Sequence, residues 1–170
     1  MAVTMRAGLR EALKGFLGCH NDVDEGGDNF DVENQLDALM ERSLSINLDP
    51  STNVVLNTTK RHFFEARWPV EVVEANYVPD GALVVNGTNY AKIGLYKGNG
   101  SAAAATVVGT INTAAGSNMA AGTPYAFTLS GTAANLKLAT GNTLAADIIK
   151  YGAGGVAVPK GAVVVHYRLQ

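Results

Sequence analysis

Apolar residues recur along this chain at two different spacings. Met5, Leu9, Leu13, Phe16 and Leu17 follow a helical period, with Ala2, Ala7, Gly8 and Ala12 in the gaps, and predict an amphipathic helix over about residues 3–17. An acidic, glycine-containing loop from Asn21 to Asn29 follows. Asp31 then caps a second predicted helix whose apolar positions are Val32, Leu36, Leu39, Met40 and Leu44 and which ends near Ser45. Each helix has one apolar stripe that must be covered by the other helix, by the rest of the chain or by another protein.

From about Val54 the pattern changes to short β-branched and aromatic runs separated by turns rich in Gly, Asn, Pro and Thr. The runs predict strands at 54–58, 61–68, 70–78, 90–97, 104–112, 125–129, 143–150 and 162–168. In the run from Ala91 to Lys97, Ile93 and Leu95 share one face while Lys92 and Tyr96 share the other. The fold class read from this is mainly β: an antiparallel β-sandwich or jelly-roll-like module over 54–170, preceded by a short two-helix segment over 1–50. Asp49-Pro50-Ser51-Thr52-Asn53 forms the expected junction.

Composition fits one main domain, since 47% of the 170 residues are apolar and 16% charged. No run reaches the ~18 apolar residues of a membrane span, and Arg10, Glu11 and Lys14 interrupt the N-terminal apolar stretch, so neither a membrane partner nor a signal peptide is expected. Cys19 is the single cysteine, which excludes an intrachain disulfide. Residues 1–80 hold 7 Lys/Arg against 14 Asp/Glu, and residues 81–170 hold 6 against 1, giving −7 and +5. Such asymmetry permits attraction between the parts or between subunits, or follows simply from charged helices and uncharged strands. Neither part has the clustered Lys/Arg and aromatics of a nucleic-acid site. From Gly98 to Leu136 there are 39 residues without a charge, and small neutral side chains over that length imply either a surface covered by neighbours or a long loop and hairpin region.

Catalytic signatures are absent from the sequence: there is no phosphate-binding G-x-x-x-x-G-K-[ST], no G-x-S-x-G and no H-E-x-x-H. Gly98-Asn99-Gly100-Ser101 reads as a hairpin turn. His20, His62 and His166 are far apart, and Asp147 is the lone carboxylate of the second part. No catalytic, cofactor-binding or metal residue is therefore assigned, and the chain is expected not to be an enzyme. Asp22, Asp24 and Asp28, with Glu33 eleven positions after Asp22, approach the spacing of a calcium loop. Gly26 stands where an oxygen ligand is needed, so the segment is read as a solvated acidic loop. The sequons at Asn57, Asn86 and Asn99 read as chance products of an Asn/Thr/Ser-rich chain.

The string from Val70 to Leu83 (VEVVEANYVPDGAL), followed by Thr88 to Lys97 (TNYAKIGLYK), resembles a β module of virion proteins of tailed bacteriophages. The segments Thr128 to Leu136 (TLSGTAANL), Leu138 to Leu144 (LATGNTL) and Val158 to Val165 (VPKGAVVV) are similar to the same module, so the resemblance covers roughly 54–170. It implies a capsid decoration (cement) or head-surface protein, made in the bacterial host cytoplasm, located in the virion, with itself (a trimer) and the major capsid protein as partners. A receptor- or glycan-binding module of a fibre or tail adaptor is the alternative. That reading calls for exposed aromatics on one face, with Trp68, Tyr90, Tyr96, Tyr125 and Tyr151 as candidates, although core packing accounts for them as well.

Overall fold

The structure, a computed structural model, describes residues 41–50, 53–99, 106–114 and 118–170. The helix expected over 3–17, the second helix up to Met40 and the acidic loop from Asp22 to Glu33 lie outside the described residues. Residues Glu41–Leu169 form one compact unit.

Among the described residues, ten strands build two antiparallel sheets. β1 (Glu41–Leu48), β10 (Gly161–Leu169) and β3 (Val70–Pro79) form the first, with β6 (Tyr125–Ala126) and β8 (Lys137–Leu138) sharing the far edge of β3. The second has the order β2 (Arg61–Glu65), β9 (Thr143–Tyr151), β4 (Tyr90–Gly98), β5 (Thr106–Asn112) and β7 (Thr128–Leu129). Four of the pairings nest within one another. β1 pairs with β10 and β3 with β8 in one sheet, while β2 pairs with β9 and β4 with β5 in the other. The chain thus folds as a long hairpin whose paired strands alternate between the two layers.

Alternation explains which residues meet between the layers. Ala91, Ile93 and Leu95 of β4, Leu144, Ala146 and Ile148 of β9, and Val163 and Val165 of β10 are fully buried in one apolar core. β3 would break this rule, because Val70 and Val72 alternate in one phase and Ala75 and Tyr77 in the other. A bulge restores it: β10 passes from His166 opposite Glu74 to Tyr167 opposite Val72, so Val73 is the extra residue and all four apolar side chains point inward.

Three expectations are corrected. Residues 41–45, read as the end of a helix, are the start of β1, so the β body takes in residues 41–48 ahead of the expected start at Val54. The reason lies in Leu44, Ile46 and Leu48, whose two-residue spacing packs them on the core. Residues 54–58 are not a strand. They run beside β9, joined by one backbone bond, Thr58 N–H to Ile148 O at 3.0 Å, and otherwise by side chains: Asn57 Oδ1 accepts from Lys150 N–H at 2.7 Å, Thr58 Oγ1 accepts from Ile148 N–H at 2.6 Å, and Lys150 Nζ donates to Asn53 O at 2.7 Å. The expected strand at 125–129 divides between the sheets, with Phe127 buried at the crossing and its N–H donated to Ala75 O at 2.8 Å.

The only helix among the described residues is α1 (Ala133–Leu136), one turn long, whose carbonyl end is held by Lys97 Nζ at 2.7 Å from Ala134 O and 3.0 Å from Lys137 O.

Candidate functional site

The outward face of the second sheet carries its densest polar chemistry. Gly94 of β4 lies opposite Asp147 of β9, and Tyr96 lies opposite Ala145, so these side chains share one patch. Glycine at 94 leaves the room the Tyr96 ring occupies, because a Cβ there would collide with the ring and hydroxyl as they lie. The ring folds back over Gly94 toward Asp147, and Lys60 Nζ stands 4.1 Å above its centroid.

Asp147 is 4% exposed, and its Oδ1 is buried without a hydrogen-bond partner. Burial raises the Asp147 carboxyl above the usual carboxylate range, opposed by the Tyr96 hydroxyl, Lys60, Lys92 and the Gly94 backbone. Burial, reinforced by the charge of Asp147, pushes Tyr96 up to about 12. A carboxyl whose folded value is raised stabilises the fold fully below its unfolded value, and loses that contribution as pH rises through the folded value. Asp147→Asn, which removes the buried charge, is therefore expected to raise the melting temperature at pH 8, with the gain shrinking toward pH 4. Thermal melts of both proteins across that range check it; a variant less stable at pH 8 contradicts the assignment.

Beside this patch, the rings of Tyr90 and Tyr151 stack at 4.7 Å and 11° on the outward face. The aromatic candidates do not share one surface. Tyr96 is buried, Tyr125 accepts Ala120 N–H through its hydroxyl at 2.6 Å beside the first sheet, and Trp68, 66% exposed, lies between β2 and β3 at the opposite end from Tyr90 and Tyr151. His62 is exposed on β2 of one sheet and His166 sits on β10 of the other, while His20 and Cys19 lie outside the described residues. Among the described residues no three of His, Cys, Asp and Glu gather where a metal ion could bind, and no helix is long and apolar enough to cross a membrane.

The loops at the Tyr90 end carry charge only where they join the strands, at Asp49, Lys60, Asp80 and Lys160. Residues 53–59, 81–91, 112–114, 118–124 and 151–159 contain no Lys, Arg, Asp or Glu. They are knit together by Leu83 pairing with Met119 and by Val156 N–H donating to Val54 O at 3.0 Å. On their outer surface Val84 is 72% exposed, and Val54, Val55 and Leu56 form a consecutive exposed apolar run. Within the neutral stretch 98–136, Val108, Ile111, Thr113, Met119 and Phe127 are buried, while about half of its described residues are exposed. Thr113 Oγ1 is satisfied by donating to Ala91 O at 2.9 Å and accepting Ala91 N–H at 3.0 Å.

No family model matches the chain, and no curated protein does. Among solved structures, the chain is similar to one described as "Structure of infectious bursal disease virus Gx strain", at 13% identity and a TM-score of 0.29, over 76% of this chain and 37% of that one. The chain thus spans well under half of that protein, and a superposition of this quality transfers neither fold nor role.

Proposed function

We propose that the chain is a non-enzymatic structural protein of a tailed-phage virion, which decorates the capsid surface as a homo-oligomer and stabilises the shell by bridging major capsid protein subunits. The observation that carries this reading is the nested strand pairing around a filled apolar core. We read that pairing as a jelly roll, an architecture that viral capsid and lectin domains use. With the interior given over to packing, the work falls to the surface, where Val84, Trp68 and the run Val54 to Leu56 offer apolar contact area. Every copy bound to the assembled shell and not to its parts shifts assembly by mass action, with no chemical step, nucleic acid or membrane required. The sequence resemblance to phage virion proteins supports the same reading.

The outward Tyr90–Tyr151 stack favours glycan binding as a second reading, because a partly exposed ring offers a stacking face to a sugar. Mixing the purified protein with capsids that lack it, then sedimenting, separates the two. Decoration predicts saturable co-sedimentation and shells that withstand higher temperature; a protein that stays in the supernatant but binds immobilised sugars supports the second reading instead.

A further inference from the structure

The longest open sheet edge among the described residues is β1, which pairs with β10 alone. The other edges are shorter: β6, β7 and β8 have 2 residues each and β2 has 5. β1 keeps one unbroken register against β10 from Glu41 to Leu48, and Glu41, Arg42, Ser43, Ser45 and Asn47 are exposed. Arg61 Nη1 donates to Asn47 O at 3.1 Å, so that carbonyl points away from β10. Because backbone direction alternates along an antiparallel strand, the N–H and C=O of Glu41, Ser43 and Ser45 also face outward. Ser43 to Ile46 contains none of the usual protection against strand addition, neither proline, lysine nor bulge.

We propose that this edge is an interface between two copies of the chain, in which β1 adds antiparallel to β1 of the second copy about a two-fold axis at Ser43. The proposal rests on the homo-oligomer reading and names its contact surface. Another extended backbone can satisfy such an edge along its length, and this one is self-complementary in a single register. Centring the axis on Glu41 or Arg42 sets like charges directly opposite each other, which destabilises a strand pair. Registers that use the Asn47 backbone require Arg61 to leave it. Centring on Ser43 places Ser43 opposite Ser43, Glu41 opposite Ser45 and Arg42 opposite Leu44, with no like-charge pair. The first sheet then runs continuously through both copies, an isologous contact rather than the three-fold one implied by the sequence resemblance.

Residues directly opposite in a hydrogen-bonded antiparallel pair have Cα atoms about 5.5 Å apart, within disulfide range. In full-length protein with Cys19→Ser, Ser43→Cys is expected to give a disulfide-linked dimer on mild oxidation. Ser45→Cys should not, since the two copies of residue 45 would lie about 13 Å apart along the strand. Ser43→Pro removes an N–H that points away from β10, so it should keep the fold and halve the mass seen by light scattering. If that variant does not fold, Ser45→Lys replaces it with the same expected halving. An oligomer whose mass survives these changes, or whose Ser43→Cys form does not cross-link, overturns this interface and leaves the homo-oligomer reading standing. Unaltered protein that is monomeric at every concentration removes both.

Discussion

A protein beginning at Ser51 is expected to lose cooperative thermal unfolding, whereas one beginning at Glu41 keeps it. The turn-forming stretch from Asp49 to Asn53 looks in sequence like a place to divide the chain, but β1 lies ahead of it and forms the edge of the first sheet. Deleting β1 removes Leu48, which is fully buried, together with Leu44 and Ile46, which pack on the core. At about 1.5–3 kcal/mol for a fully buried aliphatic side chain and less for the other two, the loss is roughly 4–6 kcal/mol, against about 5–15 kcal/mol for the whole stability of a typical domain. It also strips the ladder from β10, whose Val163 and Val165 lie at the centre of the core. The salt bridge between Lys160 and Asp49, 3.2 Å long and exposed at both ends, contributes little to the difference. Circular dichroism melts of the two truncated proteins decide the matter. A Ser51 protein that melts as sharply as the Glu41 protein contradicts the placement of β1.

Gly161→Val is expected to cost about 3 kcal/mol or more. A Cβ at Gly161 would stand 2.6 Å from Val78 O and 2.7 Å from the Tyr77 ring. Neither neighbour can yield cheaply: Gly161 is held between Leu48 and Pro79 by pairing on both sides, and Tyr77 is fully buried with its hydroxyl donated to Pro159 O at 3.0 Å. Gly87→Ala is the matched control, since a Cβ there meets nothing within 4 Å, and its expected effect lies within about 0.5 kcal/mol. Urea unfolding of the pair checks the contrast; equal midpoints would mean that Tyr77 does not pack over Gly161.

The central strands were legible because their alternation is plain. The expected 70–78, 90–97, 143–150 and 162–168 fall within one residue of β3, β4, β9 and β10 at each end. β1 was hidden by overlap: Leu36, Leu39, Met40 and Leu44 continue a helical spacing into residues that also alternate as Leu44, Ile46 and Leu48. Val54 to Thr58 has strand-like composition, but apart from Thr58 N–H to Ile148 O its bonds to β9 run through Asn57 and Thr58 side chains, which a pattern of apolar residues does not register. The Tyr96–Asp147 patch was missed although a signal existed. Asp147 is the single carboxylate after Asp80 and stands in the apolar run Ala145 to Ile149, where a charge is costly. Its partner could be found only through the register that sets Gly94 against Asp147 across two strands distant in sequence.

The proposed role makes one direct demand, that the protein be part of the particle and sit on its shell. Electron microscopy of intact particles carrying a labelled copy of the chain measures this. Label at regular positions over the capsid surface, repeated at every equivalent site, is the predicted result; particles that carry no label, or carry it on the tail alone, contradict capsid decoration.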